Sequence, residues 1–457
     1  MGAQARATRW SDLVILAWGM VLVLALLGLS RVPISGRALL KINGLDPPYY
    51  FGTAHSLLFD HDFDLRNELA VNPPLSSSAG GFRGQNGLPG SPYAIGYSIL
   101  SIPFLAAGTA VDAAAGRPAD GYSSGAIFCF FLGNVTFAVI GMWCLARFLL
   151  AFGSPPWQAA LLPVAIWFST SLGYYTFSPI SHAATFMMAA GFLLIWWRTR
   201  GSERVRDWAV LGLCGGLLSI CRWQDTIFLI GPLLFHVSEH RAAITRKVWF
   251  LWFAYGAAAC VWWIPQIAQW RIIYGKFLTI PQGSGFLEFP PRFILGVLFS
   301  TNHGWFVWTP ITLIGIVGLF YGTYRASGGS ANYYWPWIVV AFLEVAVVGS
   351  MPGNWNCMDS FSIRSLTSCL PLVALGVAVL LRCLRPQFRM ALSVAIVFCM
   401  AYSTIFAAQF RLDLIPRNGT LTMSQLLWDK VFFKAAYRRV HSKGQPGASQ
   451  PTAEIPE

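Results

Sequence analysis

Apolar runs long enough to cross a lipid bilayer recur along the whole chain, beginning with Leu13 to Leu29. A hydrocarbon core about 30 Å thick takes roughly 20 apolar residues in a helix, and every backbone polar group inside it must be satisfied. This restricts the fold to a bundle of membrane helices, since no stretch alternates as a barrel strand does. Charge agrees: 11% of the 457 residues are charged, against about 25% in soluble domains. The expectation is an all-α polytopic transmembrane helical bundle. Residues 1–435 form one integral membrane domain, and 436–457, of which 441–457 are rich in Gly, Pro, Ser and Gln, form a disordered tail.

Basic residues orient the bundle. Arg6 and Arg9 precede the first run and place the N-terminus in the cytoplasm. Three basic loops follow: "WWRTRGSERVR", "EHRAAITRK" and the segment around Arg382, Arg385 and Arg389. Spans are expected near 124–147, 156–173, 181–197, 207–221, 224–238, 248–265, 303–322, 333–351, 366–384 and 390–409, making about 11 with the first. The loops near 174–181, 222–224, 266–302 and 352–365 then fall outside, as does a long first loop, 32–92. One segment, 93–112, is apolar enough to span but would reverse every later loop, so a shallow or re-entrant passage is expected there. "SQLLWDKVFFKAAYRR" reads as an interfacial helix.

The net charge of +13 follows mainly from orientation, with anionic lipid or a phosphate-bearing substrate as the sharper reading. No basic soluble domain exists to hold nucleic acid. The nine cysteines lie mostly in apolar runs and contain no C-x-x-C pair, so neither zinc nor a disulfide framework is indicated.

Scarce carboxylates gather in "GLDPPYYFGTAHSLLFDHDFDLRNE". Of 19 acidic residues in the chain, Asp46, Asp60, Asp62, Asp64 and Glu68 fall here. Asp46, stiffened by Pro47 and Pro48, can take a proton from a hydroxyl nucleophile or can N-cap the helix that follows. Asp60, Asp62 and Asp64 have D-x-D-x-D spacing. Leu65 and Val71 stand where an EF-hand needs Gly and Glu, which rejects that motif. A looser metal site with His61 competes with plain helix capping. The same external face collects His182, Arg222, Gln224, Asp225, His303, Asp359 and Arg364, and ionisable groups at a membrane boundary turn inward or line a wet cavity. Arg364 and Arg222 suit phosphate oxygens; Arg222 can instead pair with Asp225. His303, among Trp305, Phe306 and Trp308, suits an aromatic belt or a sugar-stacking wall.

Five stretches in order, "GLDPPYYFGTAHSLLFDHDFDLRNE", "YAIGYSILSIPFLAAG", "GLLSICRWQD", "LFSTNHGWFVWTP" and "DSFSIRSLTSCLPLVALG", resemble bacterial polytopic glycosyltransferases of the GT-C superfamily. The nearest relatives are the family 39 type, akin to protein O-mannosyltransferases and aminoarabinose transferases. The resemblance implies an inverting transfer of a sugar from a polyprenyl-phosphate donor to a lipid, glycan or protein acceptor. The reaction would run outside the cytoplasmic (inner) membrane. Asp46 would be the general base, in the D-x-x-Y-Y context of Tyr49 and Tyr50. Arg364, Arg222, His303 and His182 would serve donor-phosphate or substrate binding, with a divalent metal optional. The chain departs from the pattern at "SPISHA", where relatives carry a further acid, and at Ser91 and Pro92, where a lysine is common. A transporter or flippase for an anionic or lipid-linked substrate is the rival. It calls for polar residues through span middles and an internal repeat.

Overall fold

In the computed structural model, residues 2–31, 40, 42, 44–71, 84, 87–239, 245–326 and 333–428 are described. They are helical, with no extended strand among them. The helices used below are α1 Gly2–Arg31, α2 Pro47–His55, α3 Arg66–Val71, α4 Gly96–Ala114, α5 Ser124–Ala151, α6 Pro156–Ser169, α7 His182–Thr199, α8 Val205–Cys221, α9 Ile230–Glu239, α10 Arg246–Val261, α11 Trp263–Tyr274, α12 Ile311–Arg325, α13 Trp335–Val348, α14 Leu370–Cys383 and α15 Pro386–Arg411. The disordered-tail segment and most of the interfacial-helix segment lie outside the described residues; of the latter, Ser424–Trp428 form a π-helical turn.

Five helical segments are long and apolar enough to cross a membrane: Arg9–Arg31, Gly96–Ala114, Ser124–Ala151, Arg364–Cys383 and Pro386–Arg411. A sixth arises if α10 and α11, bent by 45° at their junction, count as one. Such helices mark a membrane protein. Their burial differs in a way that places the core. Arg364–Cys383 is 89% buried and runs through the centre, whereas α1 is 22% buried and lies at the edge. Without a hydrophobic drive between helices in lipid, close packing has to come from small residues. Gly315, Gly318 and Gly376 supply it: a Cβ on Gly376 would stand 1.8 Å from the Gly315 carbonyl oxygen.

Side-chain contacts define two polar ends. At one, Asp12 accepts from Arg147 (2.7 Å) and Trp143 (3.0 Å), Trp197 donates to the Ala151 carbonyl, and Arg382 to that of Phe152. At the other, Asp46 meets Arg364 and Arg411 donates to the Tyr174 carbonyl.

The segment expected to be shallow or re-entrant is a single 19-residue helix, α4, with Pro103 inside it. Tyr97 near its start packs on Phe130 and Phe137, Phe104 packs on Phe137, and Asp112 near its end accepts from the Gly125 and Ala126 amides. Tyr97 to Asp112, about 22 Å of α4, packs against Gly125 to Phe137, about 18 Å of α5. Thus α4 runs antiparallel to the N-terminal half of α5. Asp112 satisfies the first amides of α5, where a helix has no acceptors of its own.

Candidate functional site

The turn before α2 sets the first functional side chain. Pro47 and Pro48 occupy N1 and N2, where proline's missing amide costs nothing and its fixed φ starts the helix. Asp46 stands at the N-cap, and its main-chain carbonyl accepts from the Tyr49 and Tyr50 amides. Its carboxylate makes no cap bond. The side chain faces the other way: Oδ2 lies 2.6 Å from an Arg364 guanidinium nitrogen, and Oδ1 accepts from the Tyr93 hydroxyl at 2.5 Å. Of the two readings open for Asp46, the capping one is therefore not what its carboxylate does.

Both members of this ion pair are largely enclosed, with 10% of the Asp46 side chain and 22% of the Arg364 side chain exposed. Charges taken that far from water must be paired. Arg364 follows Ser362, which turns the chain at φ 58°, and opens the 3-10 turn that feeds α14. Its guanidinium also lies 5.9 Å from the Tyr175 ring.

Three tyrosines build the wall. Tyr50 stacks on Tyr93 at 5.0 Å and meets Tyr97 edge-on at 5.1 Å. Its hydroxyl donates to Ser181. Burial pushes the Tyr50 phenol up to about 12. Burial, and then the charge of Asp46, raises Tyr93 well above the usual range. Both phenols therefore remain donors at any physiological pH. Tyr49 is fully buried in a separate small core with Leu65 and Leu69. Tyr93 is held by its neighbours. The Ile95 amide donates to Gln266, and the Gln282 amide group to the Pro92 carbonyl. A Cβ on Gly96 would sit 2.6 Å from the Ile220 carbonyl oxygen, so glycine there brings the start of α4 against the end of α8.

That contact brings in the second cation. Arg222 caps the C-terminal end of α8. It donates to Ser365, the residue after Arg364, at 3.0 Å, and lies 3.3 Å from His182 Nδ1. An arginine is always a donor, so His182 presents an acceptor lone pair at Nδ1. The expected alternative, an Arg222–Asp225 pair, is absent from the ion pairs among the described residues. Gln224 bridges instead, donating to Glu344 (2.8 Å) and to the Ser365 carbonyl (2.9 Å).

His303 lies a layer behind. Its Nδ1 donates to the Asn356 carbonyl at 2.7 Å, and its ring meets Trp308 edge-on at 4.6 Å. It is fully buried at φ 69°, which makes it part of the turn that seats Trp305–Trp308.

The Asp60, Asp62 and Asp64 metal expectation needs correction. Asp62 accepts from the Ser56 hydroxyl and the Asp64 amide. Asp64 accepts from the Arg66 amide and pairs with its guanidinium. These two carboxylates turn the chain at left-handed His61 and start α3, so the three aspartates do not converge. Only Asp60 belongs to a group of ligand atoms close enough to hold an ion, and its companions are His55 and Glu68.

Tyr93, Ser365 and Glu344 escaped the sequence reading. Glu344 had a usable signal, as a lone acid in the apolar run "IVVAFLEVAVV". Tyr93 had none, because an aromatic beside a membrane segment is commonplace. No protein-family model matches the chain, and no curated protein matches it.

Proposed function

We propose that the protein is an inverting membrane glycosyltransferase of GT-C type. It would take sugar from a polyprenyl-phosphate donor at the outer face of the cytoplasmic membrane. The observation that carries this is the Asp46–Arg364 pair at 2.6 Å, flanked by a second guanidinium on the neighbouring Ser365. A base and two phosphate-binding groups in one enclosed place are what the reaction requires. The donor phosphate engages Arg364 and Arg222 and draws Arg364 away from Asp46. The freed carboxylate accepts the acceptor's hydroxyl proton. The resulting oxygen attacks the anomeric carbon as the bond to polyprenyl phosphate breaks, and the departing phosphate keeps the electron pair. The two guanidiniums stabilise the charge that grows on it. Tyr93 holds Asp46 in place throughout.

An apolar groove of about 420 Å³ opens beside Gln224, lined by Trp223, Ile227, Leu229, Ile230, Leu233 and Val347. Through Gln224 it adjoins Arg222 and Ser365. An isoprenoid lying there carries its phosphate to the cations.

The same reading includes eleven spans: α1, α5, α6, α7, α8, the 223–239 segment, α10 with α11, the 305–325 segment, α13, the 364–383 segment and α15. In this reading each would cross from one side of the membrane to the other. On this reading α4 does not cross the bilayer, the alternation stays intact, and the site lies outside.

The test is mass spectrometry of lipid-linked sugars and surface glycans in cells lacking the protein, complemented with wild type, Asp46→Asn or Arg364→Gln. The lipid-linked donor should accumulate, and one glycan modification vanish, without the protein and in both variants. Wild-type glycans in the Asp46→Asn cells would exclude Asp46 as the base.

A further inference from the structure

The far end of α2 carries a second cluster that the transfer chemistry does not use. His55, the last residue of α2, Asp60 in the π-helical turn that follows, and Glu68 on α3 place one ligand atom each within 4.8 Å of one another. His55 and Glu68 are buried, and Asp60 opens to solvent. From these residues we infer that His55 Nδ1, Asp60 and Glu68 form a binding site for a divalent transition-metal ion of the Mn2+ or Zn2+ kind.

The ring of His55 carries the argument. Its Nε2 lies 2.8 Å from the Asp120 carbonyl oxygen, which only accepts. Nε2 therefore holds the proton, and in the neutral ring Nδ1 is left with a lone pair. That lone pair lies 3.0 Å from Glu68 Oε1, another acceptor. Two lone pairs at that distance require a positive centre between them, a proton or a metal ion. A histidine donating through one nitrogen to a carbonyl while the other faces a carboxylate is how metal-bound imidazoles are oriented. The 3.0 Å separation is that of two ligands at about a right angle, each about 2.1 Å from a common ion, as in six-coordinate Mn2+, and a tetrahedral ion would spread them to about 3.4 Å.

A proton is the competing occupant, since Asp60 and Glu68 are also close enough to share one; an ion differs in engaging all three ligand atoms at once. Asn67 donates to Asp60 Oδ2 (2.9 Å) and to Glu68 Oε1 (3.2 Å), so one amide aims both carboxylates at the same point. A nitrogen ligand disfavours Ca2+ and Mg2+, which take oxygen, and leaves Mn2+ and Zn2+ as the fitting class. The rings of Phe59 and Tyr122, 4.5 and 4.4 Å from the imidazole, close the apolar side.

The site's place in the fold gives it a role. Asp46 begins α2 and His55 ends it, about 13 Å away. An ion held there ties α2 to α3 and, through Asp120, to the loop before α5. It fixes the element that presents Asp46 without touching the reacting atoms. The inference does not depend on the transferase reading.

The experiment uses full-length, tag-free protein in detergent, dialysed against micromolar MnCl2, ZnCl2, MgCl2 or CaCl2, then assayed for bound metal and thermal unfolding. Wild type should retain about one Mn2+ or Zn2+ per chain and unfold at a higher temperature with it, but not with Mg2+ or Ca2+. Asp60→Asn, at an exposed position the fold tolerates, should bind at least roughly tenfold more weakly. Glu68→Gln should lose binding, and Asp64→Asn, whose carboxylate faces Arg66, should keep it. Absence of retained Mn2+ or Zn2+ in wild type would overturn the inference in favour of a protonated His55–Glu68 pair. Equal retention in Asp60→Asn, or binding of Ca2+ alone, would overturn this ligand set.

Discussion

Asp46 is a carboxylate shared between a guanidinium and a phenol, and the sharing sets what each partner is worth. An enclosed ion pair contributes little over an apolar pair of the same shape, but removing one member strands the other charge. Arg364→Gln should therefore cost about 3–5 kcal/mol of stability, and Tyr93→Phe about 1.5–3 kcal/mol, the range for a hydrogen bond to a charge. In an Asp46→Asn background both costs should shrink, because no stranded charge remains. Denaturation midpoints of the two double-mutant cycles in detergent check this, and additive losses in either would show that that pair does not couple. The residues of this pair were legible in the sequence because ionisable groups are rare in so apolar a chain. Asp46 stood out by scarcity and its flanking prolines, and with Arg364 and Arg222 by position in the stretches that carry the family resemblance. His182 stood out in "SPISHA", where the chain departs from that pattern. Tyr93 did not, since 15 tyrosines and 20 tryptophans leave any one aromatic unmarked. The D-x-D-x-D run misled for a different reason. Spacing along a chain fixes direction only inside a regular element, and here left-handed His61 turns Asp62 and Asp64 to local amides.

At the scale of elements, periodicity marked apolar segments well and their mutual packing poorly. Most expected spans coincide with helices to within a few residues. The exceptions are informative. The 224–238 span begins as a 3-10 turn, Trp223–Leu229, and the 366–384 span begins with another, Arg364–Cys369. Both irregular starts sit where Arg222 and Arg364 enter the site, and loosening the first turn lets each guanidinium face inward. Helix crossings rest on residues that a hydropathy pattern treats as neutral. A Cβ on Gly318 would lie 2.0 Å from the Gly376 carbonyl oxygen, and one on Gly376 would meet Gly315 equally closely. These are backbone atoms that cannot step aside. Gly376→Val should push α12 from α14 and lower stability by several kcal/mol, an overpacking cost at the upper end of its class. Gly256→Ala on α10, with open space around it, should leave stability within about 0.5 kcal/mol of wild type. Thermal unfolding of the two variants separates crossing from mere helix propensity.

For the whole molecule, α4 decides which side everything lies on. It passes a length test for a membrane span, and a sequence count that includes it reverses every later loop. Its contacts argue otherwise: it starts against the middle of α5, at Phe137, and ends against the first turn, at Ala126. On the proposed topology a helix so placed enters and leaves on one side. The loops holding Arg204 and Glu288 should then face opposite sides of the membrane, with Glu288 on the side of Asp46. Single cysteines replacing Arg204 and Glu288, in a background where exposed Cys260 and Cys383 are serine, allow a direct measurement. A membrane-impermeant maleimide added to intact cells should label the cysteine at 288 and reach that at 204 only after permeabilisation. A third cysteine replacing Arg117, in the loop between α4 and α5, distinguishes the cases. If α4 keeps to one half of the bilayer, 117 labels together with 288. If α4 crosses, 117 lies opposite Asp46, and a carboxylate and guanidinium that meet at 2.6 Å would have His55, one short helix away, bonded to a loop on the far side. The His55–Asp120 contact at 2.8 Å argues against that over a helix of nine residues. Co-labelling of 117 and 288 is therefore the expected result.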